Sequence, residues 1–198
     1  MSYIVCGWYT NDYRHWLDTL IPSLEAYGAT HDFVEVSKVE GGWEANTCQK
    51  ATQVQAAMTR HPDKTIIFLD VDCRVMAPLD ELAAISGDVG VYLRTRFRSN
   101  GAAKNGWRSG TMVFKPNAFA RLLVHAWMDE TRNAKKFAVD QDSLAVAIGR
   151  VPGLSVTMLG VEWCAVPGDK CAAPKILHDS ASRYSKTPRW RKWTGLAA

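Results

Sequence analysis

Thr65-Ile66-Ile67-Phe68-Leu69-Asp70-Val71-Asp72 is the stretch on which the fold of this chain turns. Five β-favouring or apolar residues follow one another without alternation, the pattern of a strand covered on both faces, as in a parallel sheet inside an α/β domain. Ligands of such sheets bind at the carboxyl ends of the strands, and this strand runs straight into two carboxylates one residue apart. Paired aspartates at that edge can share a hard divalent cation and leave coordination positions open for a phosphate. The spacing alone is common: thirteen aspartates in 198 residues give roughly one Asp-x-Asp by chance, and Asp140-Gln141-Asp142 is a second. Its place behind a buried strand sets Asp70 and Asp72 apart.

Outward from this strand, apolar and helical patterns alternate. Residues 3–9 read as a first strand rather than a signal peptide, because no basic start precedes them and polar residues soon follow. Asn11 or Asp12 is placed to cap a helix whose apolar stripe is Tyr13, Trp16, Leu17, Leu20, Ile21 and Leu24. Pro22 should kink or divide that helix. A short strand over 32–36 and a Gly41-Gly42 loop lead to one helix over about 44–60. After Asp72 come a short helix opened by Pro78 and Leu79, a strand over 89–93, and a basic, turn-rich segment over 94–107 expected to be a mobile loop. A strand over 109–114 ends at Lys115-Pro116. Phe119, Leu122, Leu123, Ala126 and Trp127 give the next helix its buried face; a further helix spans 140–148 and a late strand 154–159. No repeat or linker interrupts this alternation, which argues for one α/β domain over 1–180, followed by a basic aromatic tail over 181–198.

Composition narrows the function classes. The 47% hydrophobic and 22% charged content is that of an ordinary globular protein, and no apolar run reaches the roughly 18 residues of a membrane span. The five cysteines (Cys6, Cys48, Cys73, Cys164, Cys171) show no Cys-x-x-Cys spacing, so reduced thiols in a cytoplasmic setting are expected, with a Cys164–Cys171 disulfide as the alternative. The net charge of +4 conceals two acid-free basic segments. Arg94, Arg96, Arg98, Lys104 and Arg108 form one; Arg183, Lys186, Arg189, Arg191 and Lys192 form the other. They hold ten of the 24 cations and leave −6 on the remainder. Clustering of this kind points to an anionic ligand or partner.

The order of motifs is similar to that of the GT-A class of nucleotide-sugar glycosyltransferases. The matching features are an apolar strand with Asp70-x-Asp72, then Arg108-Ser109-Gly110-Thr111-Met112-Val113-Phe114, then Asp140-Gln141 opening a helix, then Ile176-Leu177-His178. The chain most resembles the glycogenin-like, retaining branch and its small bacterial or viral relatives, over roughly residues 3–180. The resemblance implies a single-domain GT-A (Rossmann-like) fold with a mostly parallel twisted central sheet flanked by helices. It implies transfer of a sugar from a nucleoside-diphosphate donor, UDP-linked by preference, to an acceptor hydroxyl, with retention of anomeric configuration.

The resemblance also implies roles. Asp70, Asp72 and His178 would hold a divalent cation, manganese or magnesium, against the donor diphosphate, where positive charge stabilises the leaving group. Tyr9 and Thr10 would meet the nucleobase, an aromatic face and a hydroxyl being suited to stacking and to edge contacts; core packing is the plainer role for Tyr9. Lys50 would reach the diphosphate, a solvated helix lysine being the alternative. Ser109 and Gly110 would pass beside the donor sugar, glycine allowing close backbone approach. Asp140 and Gln141 would face sugar and acceptor, with Asp142 an equal candidate and helix capping the alternative for Asp140. The usual lysine after the terminal histidine is missing, leaving Arg183 or Lys186 as substitutes.

The acceptor is not named by these motifs. Arg94, Arg96, Arg98, Arg183, Lys186, Arg189, Arg191 and Lys192 are candidate acceptor or phosphate contacts. The tail interleaves cations with Tyr184, Trp190 and Trp193, a combination that grips nucleic-acid strands; modified DNA is one candidate acceptor, and a saccharide or lipid-linked glycan the other. Two rival readings remain. A haloacid-dehalogenase-type phosphatase also uses Asp-x-Asp, as nucleophile and general acid, although here Cys73-Arg74 follows where Thr or Val is usual and the pair lies far from the first strand. A non-catalytic nucleic-acid-binding module would have no need of the aspartates and His178 together.

Overall fold

In the computed structural model, residues 2–97, 99–133 and 138–179 are described. The central sheet contains β1 (Tyr3–Tyr9), β2 (His31–Glu35), β3 (Thr65–Leu69), β5 (Val89–Phe97), β6 (Ala103–Phe114) and β7 (Val156–Met158), in the order β2-β1-β3-β6-β5-β7. Three of its five pairings are parallel; β6 runs antiparallel to both β3 and β5. A second, two-stranded sheet pairs β4 (Cys73–Val75) with β8 (Ile176–His178).

The unbroken apolar run of β3 is buried throughout, and its alternate residues enter different cores. Ile66 and Phe68 join Ile4, Cys6, Met112 and Phe114 beneath α3 (Lys50–Arg60), α5 (Ala118–Arg132) and α6 (Asp140–Gly149). Ile67 and Leu69 join Val5 and Val113 against Leu20 and Leu24 of α1 (Leu17–Glu25), with Leu82 of α4 (Asp80–Ala83) and Ile176. A strand covered on both faces has no solvent side on which polar residues could alternate.

Four expectations need correction. Asn11 and Asp12 do not cap the first helix. They lie inside a 3-10 turn (Asn11–Trp16) that leads into α1, and α1 continues through Pro22. The helix expected over 44–60 is two, α2 (Gly42–Thr47) and α3. The Asn46 amide bonds the Val39 and Gly42 carbonyls and Thr47 Oγ1 bonds the Glu44 carbonyl, side-chain competition for backbone groups that ends helices. The segment over 94–107 is not a loop: β5 and β6 form a long hairpin in which Arg94 faces Gly106 and Thr95 faces Asn105. Finally, the buried stripe of α5 is Ala120, Leu123, Val124 and Trp127, whereas Phe119 and Leu122 are exposed. All five cysteines are unpaired, so no Cys164–Cys171 disulfide forms.

Candidate functional site

The chain turns from one side of β1 to the other when it goes from β2 to β3, and a crevice opens outside the carboxyl ends of β1 and β3, as at other such switch points. Tyr9 and Asp70 therefore reach the same edge. Because β6 is antiparallel to β3, the residues before Thr111 extend past that edge, and Asp70 N–H donates to the Gly110 carbonyl at 2.9 Å. The β5–β6 register jumps here: Val91 faces Met112, but Tyr92 faces Arg108, so Ser109, Gly110 and Thr111 are skipped over. Bulges of this kind re-aim side chains beside sites.

The crevice is a cavity of about 680 Å³. Trp8, Tyr9, Tyr13 and Trp43 supply aromatic wall; Lys50, Asp70, Asp72, Arg108, Asp140 and Gln141 are among its polar groups. Gly41 and Gly42, both at positive φ, form part of its rim. Thr10 is buried and donates to Asp12 Oδ1 at 2.6 Å.

Lys50 is the hub of the charged end. From the start of α3 its Nζ lies 2.7 Å from Asp70 Oδ1, 3.0 Å from Asp140 Oδ2 and 3.1 Å from Ser109 Oγ. Ser109 Oγ also donates to Asp140, and Trp127 Nε1 donates to the Asp140 carbonyl at 2.9 Å. Burial alone would lower the lysine pKa, but Asp140 and Asp70 beside it outweigh that and raise it, so the ammonium stays charged. Lys50 is thus neither a solvated helix lysine nor an unengaged phosphate ligand. Gln141 Oε1 accepts from Arg108 at 3.2 Å. Asp142 turns to the Val139 N–H at 3.1 Å, so Asp142 rather than Asp140 caps α6, and it does not line the cavity.

His178 stands behind Gly110, buried, with Nε2 2.9 Å from Thr111 Oγ1 and Nδ1 3.2 Å from Cys73 Sγ. A Cβ on Gly110 would lie 2.9 Å from His178 Nδ1 and 3.2 Å from Asp70 Oδ2, so only glycine lets this strand pass between the two. Burial pushes the imidazole down to about 4, with Asp70 opposing and Lys50 assisting; it is neutral at ordinary pH, the form that ligates metals. Asp72, Cys73 and His178 bring donor atoms within 4.8 Å of one another. Carboxylate oxygen and neutral imidazole suit a divalent transition metal, so Asp72 and His178 fit the cation that the sequence resemblance implies; Asp70, whose Oδ1 is held by Lys50, is not part of this trio. A second trio, Cys6, Asp32 and His61, is less suited. Arg60 already occupies Asp32 Oδ2 at 2.7 Å, beside His61 at 2.8 Å.

Of the candidate basic contacts, Arg94 is committed to an ion pair with Asp169, both side chains mostly buried. Arg96 falls within β5. Arg98, Arg183, Lys186, Arg189, Arg191 and Lys192 lie outside the described residues, as does the tail. Sequence reasoning passed over Arg108 as a cavity residue, and Thr111 and Cys73 as neighbours of His178. The signal for Cys73 was its position directly after Asp72.

No family model and no curated protein matches the sequence. Solved structures do resemble the fold. A glycosyltransferase involved in the glycosylation of the major capsid of PBCV-1 superposes with a TM-score of 0.70 at 13% identity, over 93% of this chain and 98% of that one. The bifunctional glycosyltransferase WbbM gives 0.59 at 16% identity, and the glycosyltransferase GlyE of Streptococcus pneumoniae TIGR4 gives 0.55 at 13%. The chain spans about half the length of these two, 46% and 54%. At such identities the likeness concerns the fold: the chain has the α/β GT-A architecture.

Proposed function

We propose that the protein is a metal-dependent glycosyltransferase that moves a sugar from a nucleoside-diphosphate donor, UDP-linked by preference, to an acceptor hydroxyl. The observation that carries this reading is the convergence of Tyr9, Lys50, Asp70, Asp72, Arg108, Asp140 and Gln141 on one cavity at the carboxyl edge of a GT-A sheet. The aromatic end offers faces on which a base can stack. Asp70, Asp72 and His178 would hold manganese or magnesium, which supplies charge stabilisation to the departing diphosphate without proton transfer.

The chain's own residues orient and neutralise. Lys50 fixes Asp70 and Asp140 relative to each other, and Arg108 aims Gln141 along the cavity wall. Asp140 is held by Lys50 and Ser109, and Asp142 is spent on the helix cap, so neither stands ready as a nucleophile. Given the retention that the sequence resemblance implies, this favours attack by the acceptor on the face from which the diphosphate leaves over a covalent glycosyl-enzyme. The phosphatase reading loses support because Asp70 follows a strand flanked on one side by an antiparallel neighbour. The acceptor reading remains a polyanion such as modified DNA, or a saccharide or lipid-linked glycan. No helix among the described residues is long and apolar enough to cross a membrane.

A panel of sugar nucleotides with manganese tests the proposal. Donor hydrolysis and a thermal shift with nucleoside diphosphate plus metal are expected, since ligands of the folded state stabilise it by mass action. Release of phosphate from simple phosphomonoesters, with no response to sugar nucleotides, would instead favour the phosphatase.

A further inference from the structure

We infer that Cys73 is a ligand in the metal site, making it a carboxylate–thiolate–imidazole centre that takes zinc or cobalt(II) more tightly than manganese. The inference rests on the metal-dependent reading above and changes its chemistry. Cys73 and His178 are direct partners across the β4–β8 pairing, so the backbone itself aims thiol and imidazole at each other. Sγ lies 3.2 Å from Nδ1, and the nearest Asp72 oxygen completes a trio within 4.8 Å. Zinc–sulfur and zinc–nitrogen bonds of about 2.3 and 2.0 Å can be reached from that spread by small side-chain rotations.

The surroundings of the trio select among donors. Thr111 Oγ1, fully buried, sits 2.9 Å from His178 Nε2. With Nε2–H donating to that hydroxyl, Nδ1 is left unprotonated 3.2 Å from Cys73 Sγ, which also lies 3.7 Å from Nε2 and so sits over the ring; a hydrogen bond on the far nitrogen is what orients ligating histidines. Asp70 Oδ1 is engaged by the Lys50 ammonium, which weakens Asp70 as a donor and shifts weight to Asp72 and the thiol. A soft thiolate beside an imidazole favours zinc and cobalt, whereas a site built of carboxylates suits manganese or magnesium. On binding, the metal–sulfur bond forms as the thiol proton passes to solvent.

The test is a titration of the full chain with cobalt(II), read by absorption and by calorimetry. A sulfur-to-cobalt charge-transfer band should appear in the near ultraviolet. It should vanish in Cys73→Ser and persist in Cys164→Ser, which removes a nearby buried thiol outside the trio. X-ray absorption of the zinc-loaded native protein, which needs no variant to fold, should find one sulfur at about 2.3 Å. Metal binding without the band, or a band that survives Cys73→Ser, overturns the thiolate ligand while leaving a carboxylate–imidazole site standing. Calorimetry that detects no binding of manganese, cobalt or zinc, even with nucleoside diphosphate present, overturns the metal reading along with it.

Discussion

Lys50 Nζ lies 3.0 Å from Asp140 Oδ2, and both side chains are more than nine-tenths buried. A lysine from the start of one helix and an aspartate from the start of another thus meet at the floor of the cavity, with Asp70 as the partly exposed third member at 2.7 Å. The arrangement couples the stability of the fold to the geometry of the site.

Lys50→Met should therefore destabilise the protein by about 3–5 kcal/mol, the usual cost of leaving a buried charge without its partner. Most of that loss traces to Asp140, because water can still reach Asp70. Urea denaturation checks it, and the double variant Lys50→Met/Asp140→Leu should recover much of the stability while remaining inactive. Full stability in the single variant would show that the pair is not closed in solution.

Gly110→Ala should cost about 1–3 kcal/mol, the range for overpacking, and depress turnover. The new methyl would lie 2.7 Å from His178 Cε1. His178 cannot swing aside while Thr111 and Cys73 flank it. Gly106→Ala, on the same strand with nothing within 4 Å of the added carbon, is the control and should be neutral. Equal behaviour of the two variants would refute the close approach.

What the sequence disclosed tracks how local each signal was. The buried run of β3 and the carboxylates behind it were legible because one strand's own composition records burial on both faces. The hairpin of β5 and β6 was misread as a loop because its basic and glycine content resembles a turn, yet Arg94-Thr95-Arg96-Phe97 carries the two-residue period of a strand. The break between α2 and α3 depends on where Asn46 sends its amide, which no apolar pattern encodes. The Cys73–His178 partnership joins two strands of three residues, too short to show periodicity, from positions 105 apart.

Asp72→Asn should keep the fold and lower sugar transfer by about 10²–10³, comparable to removing one stabilising donor from a developing anion. The comparison is made with manganese present, alongside the native protein in chelator. Native-level turnover by the variant in chelator would end the metal-dependent reading.

Acid stability should depend on Asp32. Burial works to raise its pKa, but the bonds from His61 and Arg60 outweigh it and hold the carboxyl below its ordinary range. A depressed folded pKa means that the stabilisation is fully present above the unfolded value of about 3.9 and is lost as pH falls through the folded one. Asp32→Asn should therefore lose roughly 0.5–1 kcal/mol at neutral pH, as for a partly exposed pair. The gap from the native protein should close in strong acid. A gap of the same size at both ends of the range would assign the effect to packing.

The acceptor can be tested through the tail. Of the ten clustered cations, Arg94 pairs with Asp169 and Arg108 lines the cavity, whereas the five of the tail, interleaved with Tyr184, Trp190 and Trp193, suit a polyanion. If phosphates are the partner, the logarithm of the affinity should fall linearly with the logarithm of salt concentration, by about 0.9 per phosphate contact on duplex DNA. Replacing Arg189, Arg191 and Lys192 together with alanine should flatten that slope by up to about three contacts' worth. Donor hydrolysis should stay intact, because the cavity residues are untouched. Fluorescence anisotropy with labelled duplexes, with and without hydroxylated bases, measures the slope. An absence of DNA binding at ~50 mM salt, where phosphate contacts are strong, would remove the nucleic-acid acceptor and leave the saccharide or lipid-linked glycan.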